Sequence, residues 1–128
     1  MTERTEANPP VRIIAVIDDD LRVLESLQNL LASYGYKAET YSSADLFLAS
    51  GGPSHSNCII ADVEMRQMTG LELLQHLRGM HCEIPVIVIT GKPSAHGEAF
   101  YLDKGANGFF RKPIDGQALV TLIDNLLS

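Results

Sequence analysis

Residues 13–20 run Ile13-Ile14-Ala15-Val16-Ile17-Asp18-Asp19-Asp20. An unbroken apolar run rich in β-branched residues suits a strand buried on both faces; a strand with one wet face would alternate polar and apolar positions. Such a strand belongs to a parallel sheet covered by helices above and below. A dinucleotide-binding fold would follow its first strand with a glycine-rich turn that cradles a pyrophosphate. Here the turn is acidic, which points to a cation instead.

Working outward, residues 11–17, 37–41, 58–61, 85–89 and 108–111 read as short strands, the first, third and fourth nearly continuous in apolar residues. Between them, apolar residues recur with helical period: Leu21, Leu24, Leu27, Leu30 and Leu31; Leu71, Leu74 and Leu77; Leu119, Leu122, Ile123 and Leu126. Asp20, Ser43, Ser94 and Asp115 stand where helix N-caps are expected. Strand and helix thus alternate five times. Parallel strands need right-handed crossovers, so the expected fold is a three-layer α/β domain with a five-stranded parallel sheet in the flavodoxin-like order 2-1-3-4-5. A closed eight-fold barrel would need about twice this chain. Residues 1–10 and the Gly51-Gly52-Pro53-Ser54 stretch are the breaker-rich segments, giving a flexible N-terminal segment over 1–10 and one domain over 11–128.

The 128 residues are 45% hydrophobic, enough for a real core and too many for a disordered chain. Ten Lys+Arg against 16 Asp+Glu leave a net charge of −6, the wrong sign for a surface that neutralises phosphates, so direct nucleic-acid binding is not expected. The longest apolar runs reach only about six residues where a membrane span needs about 20. Residues 1–10 lack the apolar centre of a secretory signal, so a cytoplasmic location is expected. Cys58 and Cys82 form no CxxC pair and read as buried thiols. His55, His76, His81 and His96 lack the spacing of a zinc helix and read as surface residues.

In an open parallel sheet the ligand crevice lies beyond the carboxyl ends of the strands. The first strand exits into Asp18-Asp19, the third into Asp62, the fourth into Thr90, and the fifth into Lys112-Pro113. Singly, each has an ordinary explanation: a helix cap, a turn, a solvated lysine. Jointly, carboxylates, a hydroxyl and an ammonium at one edge describe a metal and phosphate site. Clustered carboxylates stay ionised only beside positive charge, which a divalent cation and Lys112 would supply. Hard oxygen ligands with room for water suit Mg²⁺.

These segments together resemble the receiver domains of two-component response regulators. The resemblance is carried by Val16-Ile17-Asp18-Asp19-Asp20, by residues 58–65 with Met68 and Gly70, by Val88-Ile89-Thr90-Gly91, and by Gly105-Ala106 with Phe109 and Lys112-Pro113. The Ile-Thr-Gly and Phe-Phe-Arg-Lys-Pro segments are most similar to FixJ-like receivers, which usually precede a helix-turn-helix DNA-binding domain. The resemblance implies that Asp62 accepts a phosphoryl group from a sensor histidine kinase. It also implies that Asp18, Asp19, Asp62 and the backbone carbonyl of Glu64 hold Mg²⁺ or Mn²⁺, and that Thr90 and Lys112 hold phosphoryl oxygens. The Lys112-Pro113 bond matches a position that is often cis. Thr90 and Phe109 are the implied switch residues. Phosphorylation is then expected to shift residues 91–104 and alter the face made by the fourth helix, fifth strand and fifth helix, where an effector or a second copy would dock.

One departure is Arg66, where the family normally has proline. A second variable position is Glu64, whose side chain could order or exclude an attacking water. Two other functions fit less of the chain. A pseudo-receiver would keep the fold and interact without phosphorylation. A haloacid-dehalogenase-type, Mg-dependent phosphatase would need Asp-x-Asp where this chain has Asp62-Val63-Glu64, and a cap domain as well. A receiver stops at one phosphoryl group per chain, so it is not expected to be a turnover enzyme.

Overall fold

A computed structural model describes residues 11–92 and 96–128. The chain alternates β1 (Ile13–Ile17), α1 (Leu21–Ser33), β2 (Lys37–Tyr41), α2 (Ala44–Ala49), β3 (Cys58–Asp62), α3 (Gly70–Gly79), β4 (Val86–Thr90), α4 (Glu98–Asp103), β5 (Gly108–Arg111) and α5 (Gly116–Leu127), with a 3-10 turn at Gly52–Ser54 before β3. All strand pairs are parallel and the order is β2-β1-β3-β4-β5. The order expected from the sequence is the order found.

Strand periodicity divides the core in two. Ala15, Ile17, Ile59, Ala61, Val86 and Val88 face one side, against Phe47 of α2, Leu73, Leu74 and Leu77 of α3, and Tyr101 of α4. Ile14, Val16, Ile60, Ile87 and Ile89 face the other, against Leu24, Leu27 and Leu31 of α1 and Leu119 and Ile123 of α5. Leu21 departs from the expected stripe: it is the first residue of α1, 71% exposed, one turn before the face that meets the sheet.

Side-chain caps fix where several helices start. Asp20, Ser43 and Asp115 accept from Arg22 N, Leu46 N and Ala118 N at the starts of α1, α2 and α5. At α3 the cap is Thr69 rather than Asp62: Glu72 N donates to Thr69 Oγ1 at 3.2 Å and Thr69 N to Glu72 Oε1 at 2.8 Å, a reciprocal capping box. Asp62 thereby keeps its side chain for other work. α4 begins after Gly97 with no side-chain cap; Ser94, expected to cap it, lies outside the described residues, as does the segment 1–10. Both cysteines are free thiols; Cys58 is buried, which pushes its pKa up to about 12, whereas Cys82 is only half-buried.

The connection after β1 runs to β2 on one side and that after β3 to β4 on the other, so the chain reverses its winding between β1 and β3. The crevice of an open α/β sheet opens at such a point. Asp18 and Asp62 stand on its two sides.

Candidate functional site

Asp62 is the last residue of β3 and is 4% exposed. Its Oδ1 accepts from Glu64 N at 2.9 Å and its Oδ2 from Lys112 Nζ at 2.9 Å. Asp18, fully buried just past β1, accepts from Asp20 N at 2.9 Å and from Lys112 Nζ at 3.0 Å. Asp19 is more open, and its Oδ2 accepts from Arg66 N at 3.3 Å. One carboxylate oxygen from each of Asp18, Asp19 and Asp62 lies within 4.8 Å of the others. Three oxygen donors of one sign at this spacing fit a hard divalent cation, and among the described residues no histidine or cysteine joins the cluster to favour a softer metal.

Burial is the largest influence on Asp18 and raises its pKa to about 6; the Asp20 N–H and the Lys112 ammonium pull it down, and the charge of Asp62 pushes it up. Burial pulls Lys112 down, but its hydrogen bonds to Asp62 and Asp18 outweigh that, and its pKa stands above the ordinary lysine value. The carboxylates and the lysine are thus held as a partly compensated cluster, short of positive charge.

Thr90 ends β4 and is buried. Its hydroxyl does not engage the carboxylate cluster: it donates to Oε2 of Glu64, whose Oε1 accepts from Gly91 N at 3.0 Å. Nothing in the sequence signals this bridge, because it joins loops that follow different strands. The sequence-based reading assigns the Glu64 carbonyl to the metal and considers its side chain only in relation to water. Thr90, Gly91, Lys92, Arg111 and Lys112 line a hollow of about 280 Å³ beside the bridge.

Phe109 is half-buried in β5 and stacks on Tyr101 of α4, ring centroids 5.5 Å apart, with the Arg111 guanidinium 5.2 Å from its ring centroid. The Lys112-Pro113 peptide bond is cis. Arg66 places its Nε 3.7 Å from Asp19 Oδ2. A proline at that position could make neither contact, since it has no N–H and no charge.

Comparison with known proteins agrees with this arrangement. Residues 14–124 match the response regulator receiver domain family. The response regulator protein TodT of Pseudomonas putida is 36% identical over 111 residues, covering 87% of this chain and 49% of TodT. The transcriptional regulatory protein FixJ of Azorhizobium caulinodans is 38% identical over 110 residues, covering 86% of this chain and 52% of FixJ. The chain therefore spans about half the length of these curated relatives. Among solved structures, the response regulator StyR superposes with a TM-score of 0.84 at 34% identity, over 92% of this chain and 60% of that one. The FixJ-N structure superposes at 0.81 and 28% identity, over 92% of this chain and 94% of that one. The fold, the acidic cluster at its switch point and these matches together establish that the chain belongs to the response regulator receiver domains of two-component signalling.

Proposed function

We propose that Asp62 is the phosphoacceptor of this receiver and takes its phosphoryl group from the phosphohistidine of a sensor kinase. The observation that carries the reading is the convergence of Asp18, Asp19 and Asp62 oxygens within 4.8 Å, with Lys112 bridging the two buried carboxylates. An Asp62 carboxylate oxygen forms the new bond to phosphorus. The N–P bond of the donor, whose other ring nitrogen carries a proton, breaks, and its electron pair stays on the departing imidazole, which leaves neutral with that proton. Asp18, Asp19, Asp62 and the Glu64 carbonyl would hold Mg²⁺ or Mn²⁺, which when bound neutralises charge on the phosphoryl oxygens. Lys112 orients Asp62 before transfer and meets a phosphoryl oxygen after it; the Thr90 hydroxyl meets another.

The product is one aspartyl phosphate per chain, a signal rather than a turnover. Phe109 and Tyr101 connect β5 to α4, which makes the face of α4, β5 and α5 the natural output surface for an effector domain or a second copy. Relatives about twice as long, one of them named a transcriptional regulator, support a DNA-binding effector, and the family supports a cytoplasmic setting. Among the described residues no helix is long and apolar enough to cross a membrane.

Incubation with Mg²⁺ and a small acyl phosphate, followed by intact-mass measurement, tests the reading. One added phosphoryl group is expected in the parent and none in Asp62→Asn. No addition to the parent, or addition that survives in Asp62→Asn, overturns it.

A further inference from the structure

We infer that the Glu64 side chain is a built-in placeholder for the phosphoryl group: its carboxylate occupies the Thr90 hydroxyl and the Gly91 N–H and must leave them before Asp62 phosphate is secured. The inference rests on the phosphoacceptor reading above.

Glu64 is anchored at one end to the acceptor itself, since its backbone N–H donates to Asp62 Oδ1 at 2.9 Å. Its side chain crosses from the β3 exit to the β4 exit. There both carboxylate oxygens are used, Oε1 by Gly91 N at 3.0 Å and Oε2 by the Thr90 hydroxyl. An anionic group that accepts from a hydroxyl and an adjacent backbone amide presents those donors with the charge and acceptor pattern of two phosphoryl oxygens. A hydroxyl has a single proton to give, and so does a backbone amide. Thr90 is buried, and besides Glu64 its hydroxyl has only the longer 3.3 Å contact to the Lys92 carbonyl oxygen among the described hydrogen bonds, so an incoming phosphoryl oxygen competes for a proton already engaged.

Charge sharpens the competition. Lys112 already serves Asp62 and Asp18 and makes no contact with Glu64 among the described ion pairs. A phosphoryl group on Asp62 would therefore add negative charge beside a Glu64 carboxylate that no cation pairs with among the described ion pairs, and repulsion favours expelling the side chain. Phosphorylation is thus an exchange of one anion for another at Thr90 and Gly91. This chain starts with its switch threonine already held by an internal carboxylate. The Thr90–phosphoryl contact is therefore gained net of the Glu64 contact that it replaces.

The test compares the parent with Glu64→Ala and Glu64→Gln, the second retaining side-chain size and an amide oxygen. Two quantities are measured: the rate of phosphoryl uptake from a small acyl phosphate in Mg²⁺, and the affinity for beryllofluoride with Mg²⁺, read by NMR at the Gly91 amide. Both variants should take up phosphate faster and bind beryllofluoride more tightly. The gain should be about tenfold for Ala, the size of one lost charge-assisted competitor, and smaller for Gln. Equal or slower uptake with equal or weaker beryllofluoride binding in both variants overturns the placeholder while leaving phosphorylation of Asp62 intact. Absence of uptake in the parent and in both variants overturns the phosphoacceptor reading and the placeholder with it.

Discussion

The Lys112 ammonium lies 2.9 Å from Oδ2 of Asp62, across 50 residues of sequence, and is shared with the fully buried Asp18. One cation between two carboxylates keeps the unliganded site folded. Removing it leaves two buried like charges that must repel, protonate or recruit a cation.

Lys112→Met, which keeps the aliphatic stem and drops the charge, should therefore destabilise the metal-free protein by about 1–3 kcal/mol at neutral pH, the scale of breaking a partly buried ion pair. Millimolar Mg²⁺ should restore more stability to this variant than to the parent, because the ion supplies the missing positive charge. Thermal melts with and without Mg²⁺ check this. An equal Mg²⁺ increment in both proteins would show that Lys112 does not compensate the cluster.

The parallel sheet and its alternation with helices were legible because three strands carry unbroken apolar runs and several helices between them have clear stripes, whereas the order 2-1-3-4-5 rests on the flavodoxin-like arrangement of such units. The strand-exit residues followed from the rule that parallel sheets open at their carboxyl edge. What escaped the sequence was side-chain reach between loops. The Glu64 bridge to Thr90 and Gly91 depends on where two loops meet in space, and no period or spacing encodes it. The Thr69–Glu72 capping box that starts α3 is likewise absent from the caps expected from the sequence. Gly70 shows a further hidden constraint: a Cβ there would sit 2.5 Å from the Asp62 carbonyl oxygen, so the helix start is packed directly on the acceptor's backbone.

Asp18 gives the stability a defined pH dependence. Its pKa is about 6 in the folded chain against an ordinary 3.8. Between those values the unfolded chain has released the proton and the folded chain retains it, so this group's contribution weakens as pH rises through that window and its penalty is complete above about 6. Asp18→Asn should remove the penalty and stabilise the metal-free protein at pH 7.5 by on the order of 1–3 kcal/mol. The gain should shrink to nothing near pH 3.5, and Mg²⁺ binding should weaken. Denaturant titrations at several pH values measure it. A gain independent of pH would assign the effect to packing instead.

Arg66 competes for the outermost carboxylate. Its N–H and guanidinium both address Asp19, and the guanidinium is largely exposed, so the contact is weak and easily exchanged. Arg66→Ala should tighten Mg²⁺ binding by a few-fold, consistent with the ~0–1 kcal/mol of an exposed ion pair. Calorimetric or NMR titration with Mg²⁺ reads this directly. Weaker binding in the variant would mean that Arg66 holds Asp19 in place for the ion rather than competing with it.

The output should depend on Thr90 only in part. Phe109 stacks on Tyr101, and Tyr101 meets Phe100 edge-on at 5.1 Å, so movement in β5 passes into α4 through aromatic packing. In the proposed switch Phe109 has no hydroxyl to choose a partner, so packing and its contact with the Arg111 guanidinium would set its position and the phosphoryl group would have to supply the bias. Moving a population from 1:99 to 99:1 takes about 5.5 kcal/mol, whereas one charge-assisted hydrogen bond gives roughly 1.5–3 kcal/mol. The Thr90 contact therefore needs the Lys112 contact beside it. Thr90→Ala should still accept phosphate at Asp62 while shifting a smaller fraction of molecules to the active arrangement. Hydrogen exchange over residues 96–111, with and without beryllofluoride, measures the shift: a large change is expected in the parent and a reduced one in Thr90→Ala. No change in the parent would remove α4 and β5 from the output path, and an undiminished change in the variant would relieve Thr90 of the switching role.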